Sequence, residues 1–351
     1  MHAPQDRTRG LRHLVAAAGL LAAALAPHAA QGGERPKHEI KMATVAPENS
    51  TWMNVMRAID TAVRTETGGE VGFKIYPGGV QGDEKVVLRK IRSGQLHAGG
   101  FTGLGLGLIA PECRVVELPF LFDNWQQVDA AYAAVGGQLE SALQESGYTL
   151  LGWAEVGFVY LFSKQPIATQ SDLRAAKMWL WEGDPMAESF YAAANVVPVP
   201  LAVTDVMTSL QTGLVNAVYS SPLGCLALQW FTRVSCYTDL PVTFASGAVV
   251  VSNDMFLKIP EAHRAAVLRI CSEQFRGLVL KTRERNEESL REIEKAGVRR
   301  VPVGPDEIAR FEQIGNQVRE MQTGKLFSRD LVDAVRAAAA APATDGAGAR
   351  R

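Results

Sequence analysis

The side chains in this sequence that could do covalent or metal chemistry are scattered. After residue 30 the histidines are His38, His97 and His263, far apart along the chain. No GxSxG, HExxH or Walker motif accompanies them, so nucleophilic, zinc-hydrolytic and nucleotide-phosphate chemistry lack a carrier. The cysteines are Cys113, Cys225, Cys236 and Cys271, with no CxxC to suggest a structural zinc. The run GLGLG at 103–107 lacks the last glycine of a dinucleotide fingerprint and reads as a loop needing backbone freedom. No catalytic residue, metal or cofactor is expected.

Recognition chemistry is better represented. KMWLWEGDP (177–185) sets Trp179 and Trp181 two residues apart in a short apolar run. At strand spacing both indoles point to one face, because side chains alternate across a strand. They are either sheet core or the wall of a binding site, and periodicity by itself favours core, where aromatics usually lie. Glu182 and Asp184, just beyond, read as turn and helix-cap groups.

The elements that must position these residues alternate. HEIKMATVAP (38–47) reads as a strand, followed by a helix capped at Ser50 or Thr51 and running to Thr67. Strand EVGFKIY, a helix over 83–93 and strand HAGGFTG come next. A helix near 125–145 precedes YTLLGWAEVGFVYLFS (148–163), long enough to pass from one domain into another. A second series follows: KMWLW, a helix over 185–195, VVPVPL and TDVMTSLQTGLVNAVYS. PVTFASGAVVVSN (241–253) is another long strand, and 260–295 one extended helix. Strands separated by helices imply βα units and a largely parallel sheet. The expected fold is α/β and two-lobed, with two βα domains linked by long strands and a long shared helix. Residues 38–155 plus 245–283 would form lobe I, 156–244 plus 284–330 lobe II, and 335–351 a disordered tail. Ligands in such folds bind between the lobes, at the C-terminal ends of strands.

Length and composition agree with a globular protein: 351 residues, 47% hydrophobic and 21% charged. A formal net charge of −1 leaves no obvious nucleic-acid or anionic-membrane partner. Arg7, Arg9 and Arg12 precede LVAAAGLLAAALA and small residues, the order of a secretory signal peptide over 1–30. Export into an oxidising compartment permits disulfides. The segment between Cys225 and Cys236 reads as helix, however, which would hold these two Cα atoms roughly 16 Å apart and out of bonding reach. Free, buried thiols are expected.

Five stretches in order resemble the substrate-binding proteins of TRAP transporters, the DctP-type family: YPGGVQGDEK, ELPFLFDN, SDLRAAKMWLW, VPVPLAVTDVMTSLQTGLVNAVYSSP and SNDMFLKIPEAHR. The match spans roughly residues 38–325. It implies a periplasmic protein that closes two lobes on a small molecule and delivers it to TRAP membrane subunits. It also implies that the family's signature arginine, which pairs with a substrate carboxylate, falls on Trp179, and that a second falls on Val159. The family's Glu-Asn before Pro falls near Tyr219, Ser220 and Ser221, its upstream Asp on Asn216 and the preceding Glu on Asp205.

Those departures shape the expected ligand. An Arg–carboxylate fork is charged and bidentate, whereas Trp supplies one N–H donor and a large apolar face. A carboxylate buried without its Arg costs about 2–5 kcal/mol. Burial of 200 Å² of apolar surface, at about 25 cal/mol per Å², contributes the same amount. An apolar or weakly polar organic ligand is expected, with Trp179, Tyr219, Ser220, Trp181, Phe158, Val159, Thr102 and Ser221 around it. The pattern further resembles a subgroup that works with a tetratricopeptide-repeat protein. The competing expectation is a two-lobed sensor or partner-binding module whose cleft Trp179 has filled.

Overall fold

A computed structural model describes residues 35–341. The predicted signal peptide lies outside the described residues, as does the predicted tail from 342 onward. Within them the strands are β1 (His38–Thr44), β2 (Val71–Tyr76), β3 (Ala98–Thr102), β4 (Tyr148–Ser163), β5 (Trp179–Trp181), β6 (Val199–Leu201), β7 (Ala217–Ser220), β8 (Cys236–Thr238), β9 (Thr243–Ser252) and β10 (Arg299–Val301). The long apolar run at 148–163 is β4 along its whole length, and the predicted extended helix spans Glu261–Lys295.

Local signals place the helices well. Ser50 Oγ accepts from the Met53 amide and starts the helix Thr51–Glu66, whose Met53, Met56, Ile59 and Val63 are buried. Those positions follow the 3.6-residue period of one helix face, which seats this helix on the sheet.

The sheet order is β10-β8-β4-β9-β3-β1-β2, with β7 also on β4, while β5 and β6 form a separate pair. The sheet is mixed, which corrects the expectation of a largely parallel one. Parallel pairing is confined to β1 with β2, β1 with β3 and β8 with β10 in this sheet. The two longest strands, β4 and β9, run antiparallel side by side from Tyr148↔Ser252 to Val159↔Thr243. Each then meets its other neighbours antiparallel as well. The βα alternation dictates parallel neighbours only where a helix carries the chain back across the sheet, and β9 reaches β4 from the opposite end.

The fold is α/β and two-lobed. Up to Val159, β4 pairs with β9; from Tyr160 onward it pairs with β7 and β8. The strand therefore exchanges one set of neighbours for another at this point. A bulge between Glu155 and Gly157 precedes the crossing. Gly157 has φ 112°, and a Cβ there would lie 2.5 Å from Asn286 Nδ2, so both conformation and contact call for glycine.

Two local expectations are corrected. The tail does not begin at 335: the helix Arg329–Ala340 buries Leu331, Val332, Val335 and Ala339 in the main core. That apolar spacing outweighs the alanine-rich composition that reads as disorder. The segment from Cys225 to Cys236 is not one helix. Helix Pro222–Ala227 ends, Gln229 adopts φ 59°, a tight turn covers Trp230–Arg233, and Cys236 opens β8. All four cysteines are nonetheless buried and unbridged.

Candidate ligand-binding cavity

A cavity of about 260 Å³ lies where several strands end. Thr44 closes β1, Thr102 closes β3, Trp181 closes β5 and Ser220 closes β7, and all four line it. Glu155 and Val159 reach it from the middle of β4 and Ala245 from β9. The C-terminal ends of strands thus converge on one space, as expected for this kind of fold.

An aromatic stack forms one wall. Trp179 lies against Tyr219 with ring centroids 4.7 Å apart and planes 18° from parallel. Trp230 meets Trp179 edge-on at 5.3 Å, and Trp181 follows at 5.8 Å on the same strand face. Their polar tips are satisfied within the protein. Trp179 Nε1 donates to Leu201 O at 3.0 Å and Trp181 Nε1 to Asp83 Oδ2 at 3.2 Å. Trp181 N donates to Tyr219 Oη at 3.1 Å, and Tyr191 Oη donates to Trp179 O at 2.9 Å. Trp179 is 1% exposed and belongs to a buried apolar cluster while also bordering the cavity. The choice between core and wall posed by the sequence dissolves, since the residue is both.

Of the eight residues named from the sequence, seven border this space: Trp179, Trp181, Tyr219, Ser220, Ser221, Val159 and Thr102. Ser221 is committed to local structure, its Oγ accepting from the Gly224 amide to cap a helix. Phe158 does not border the cavity and is corrected. Its ring packs 4.5 Å from Trp125 and 6.1 Å from Phe244. Neighbours in a strand face opposite ways, so with Val159 turned inward Phe158 must turn to the helix Trp125–Glu145.

The charged part of the wall was not legible beforehand. Arg114, Glu117 and Asp184 are all buried beside the cavity. Arg114 Nε lies 2.6 Å from Glu117 Oε2, and Nη2 lies 3.1 Å from Asp184 Oδ1. Burial opposes the Arg114 charge, but the two carboxylates outweigh it and raise its pKa. Glu117 Oε1 also accepts from Ser246 N at 2.6 Å and Ser246 Oγ at 2.7 Å. Asp184 is the helix cap expected of it, accepting from the amides of Met186 and Ala187, and is an ion-pair partner besides. A visible signal for the other two was RVVE, an i,i+3 charge pair inside an otherwise apolar stretch.

Glu84 is a further buried acid on this wall. It accepts from Thr102 N at 2.7 Å, Thr102 Oγ1 at 3.1 Å and Gly105 N at 2.7 Å. Burial raises its pKa to about 7 against the pull of those bonds. GLGLG is the reason these acids fit. It is a short helix, Gly103–Gly107, rather than the expected loop, and none of its glycines has positive φ. A Cβ on Gly103 would stand 2.0 Å from Glu117 Oε1, and one on Gly105 2.7 Å from Glu84 Oε2. These glycines supply room for carboxylates.

Comparison with known proteins gives the same reading as the five stretches. The DctP family, described as bacterial extracellular solute-binding protein, family 7, matches residues 42–325. A solute-binding protein of Verminephrobacter eiseniae is 28% identical over 60% of this chain and 64% of that protein. The C4-dicarboxylate-binding periplasmic protein DctP of Rhodobacter capsulatus is 23% identical over 78% of this chain and 83% of its own. Among solved structures, the sugar acid binding protein DctPAm from Advenella mimigardefordensis, in complex with galactonate, has a TM-score of 0.81 at 18% identity, covering 87% of this chain and 99% of that one. A TRAP periplasmic solute binding protein from Sulfurospirillum deleyianum with bound succinate has a TM-score of 0.80 at 19% identity, covering 86% and 99%. The family model spans most of the chain, and this chain belongs to the DctP family, the bacterial extracellular solute-binding proteins of family 7.

Proposed function

We propose that this protein is the periplasmic solute-binding component of a TRAP-type transporter and that its cavity takes an apolar or weakly polar organic molecule. One observation carries the ligand class. Among the described residues that line the cavity, Arg114 is the one cation, and its guanidinium already faces two protein carboxylates. A ligand carboxylate entering here would gain no free partner and would lose its hydration. The aromatic wall offers apolar contact instead, at about 25 cal/mol per Å² of surface removed from water. Trp179, Trp181, Tyr219, Ser220, Val159 and Thr102 are proposed to touch the bound molecule.

The lobes are proposed as 38–155 plus 245–283 and 156–244 plus 284–330, the change of β4 partners near Val159 supporting a boundary close to these limits. The partners are TRAP membrane subunits and, in the more specific form of the proposal, a tetratricopeptide-repeat protein. A carboxylate ligand is the second reading. It is favoured by the galactonate and succinate bound in the two similar structures and by the presence of Arg114 in the wall.

Native mass spectrometry of the protein isolated from its exporting cell separates these readings. A retained neutral organic molecule is expected. A retained carboxylate would establish the second reading, and a persistently empty protein would favour the sensor or partner-binding role.

A further inference from the structure

We propose that Asp184 is a built-in counter-carboxylate that occupies the guanidinium of Arg114 and so determines that this cavity rejects carboxylate ligands. The inference rests on the reading of the cavity as a site for an uncharged molecule and names the residue that enforces it.

Asp184 and Arg114 come from distant parts of the chain, one after β5 and the other in the turn Pro111–Glu117. Their side chains are only 8% and 6% exposed. Arg114 Nη2 lies 3.1 Å from Asp184 Oδ1 and 3.2 Å from Oδ2, so both oxygens face the same nitrogen. Asp184 does not depend on Arg114 for its position. Its Oδ1 accepts from Met186 N at 2.9 Å and Ala187 N at 3.2 Å, at the N-terminus of the helix Pro185–Ala194. Backbone donors and the helix dipole therefore hold an anion at this spot whatever the cavity contains.

The local balance is two carboxylates, Glu117 and Asp184, against one guanidinium. A ligand carboxylate would be a third anion for a single cation, in surroundings where like charges interact strongly. Glu84 stands on the same wall, where its oxygens accept from Thr102 and Gly105, and forms no ion pair among the described residues. Without the Asp184 charge, the Nη2 side of Arg114 would be open to an incoming carboxylate while Glu117 still held Nε. The protein thus carries a fixed substitute for the anionic group that a ligand would otherwise bring.

Asp184→Asn tests this directly, because Asn caps a helix as well as Asp does but carries no charge. The probes are succinate and galactonate, titrated calorimetrically into the full chain, with circular dichroism melting to establish folding. The wild-type protein is expected to bind neither at millimolar concentration. Asp184→Asn should gain affinity for at least one by about tenfold or more. Asp184→Glu, which keeps the charge, should show no such gain. If Asp184→Asn does not fold, Asp184→Ser, a good cap of smaller size, takes its place with the same expectation. A folded neutral variant without carboxylate affinity overturns the inference and leaves the ligand reading untouched. Wild-type binding of succinate or galactonate as tight as the variant's overturns both. If neither neutral variant folds, Asp184 serves stability rather than selectivity, and the inference falls.

Discussion

The indole of Trp179 and the phenol of Tyr219 lie stacked 4.7 Å apart, and this pair is at once part of a packed interior and part of the cavity wall. Removing either ring therefore has two consequences that cannot be separated by position. Trp179→Ala should lower stability by about 3–5 kcal/mol, the range for deleting a buried large aromatic, and should weaken ligand binding as well. Urea denaturation checks the first part; a loss below about 1 kcal/mol would show that the indole contributes little to packing.

Trp179→Arg should not give a cooperatively folded protein. The family resemblance aligns this position with an arginine, from which a folded variant with some carboxylate affinity would be anticipated. The structure argues otherwise. The site is 1% exposed, enclosed by Tyr219, Trp230 and Trp181, and a buried charge without a carboxylate partner is strongly unfavourable. A sharp thermal transition near that of the wild type would contradict this.

Glu84 should make the protein less stable as pH rises towards neutrality. Its pKa in the folded protein is raised from 4.5 to about 7, so between those values the folded state holds a proton that the unfolded state has released. Stability is then full at low pH and lost as pH climbs through the folded value, by about 3 kcal/mol in all. The Glu84→Gln variant should lose that slope between pH 4.5 and 7. It should also be less stable at pH 5, since an amide NH2 cannot accept from a facing N–H, whereas both oxygens of the protonated acid can. An unchanged slope of unfolding free energy against pH would assign the dependence elsewhere.

Thiol reagents should leave the native protein unmodified. Cys113, Cys225, Cys236 and Cys271 are buried, and burial pushes the Cys113 and Cys271 thiols up to about 12. The thiolate is the reacting form, so both access and chemistry oppose attack. Mass-spectrometric counting should find no label in the native protein and four after denaturation. A label in the native state would mark a local opening.

Ligand capture is expected to favour the closed form of the two lobes over the open one. Only differential affinity can shift such an equilibrium. Small-angle scattering with saturating ligand, once one is identified, should show a smaller radius of gyration. The same radius with and without ligand would remove closure from the proposed function.

Much of the framework was legible from residues alone, because it is written in local periods. The helix Thr51–Glu66 follows from a serine cap and a 3.6-residue apolar stripe, and β4 from one long, largely apolar run. The helix Glu261–Lys295 appears over nearly its predicted span. The family followed from five stretches in order, each too short to suffice.

What the tertiary structure decided are the relations between segments distant in sequence. Whether Phe158 or Val159 faces inward depends on which face of β4 the cavity adjoins, and both residues are equally apolar in the sequence. The antiparallel pairing of β4 with β9 required a partner some ninety residues away, for which alternation of elements carries no information. The Arg114–Asp184 pair is the plainest case. A cation absent from the family's usual position reads as a cavity without cations, yet folding brings another arginine to the wall together with the carboxylates that neutralise it. Periodicity records which face of an element avoids water; it does not record which charges will meet once water is gone.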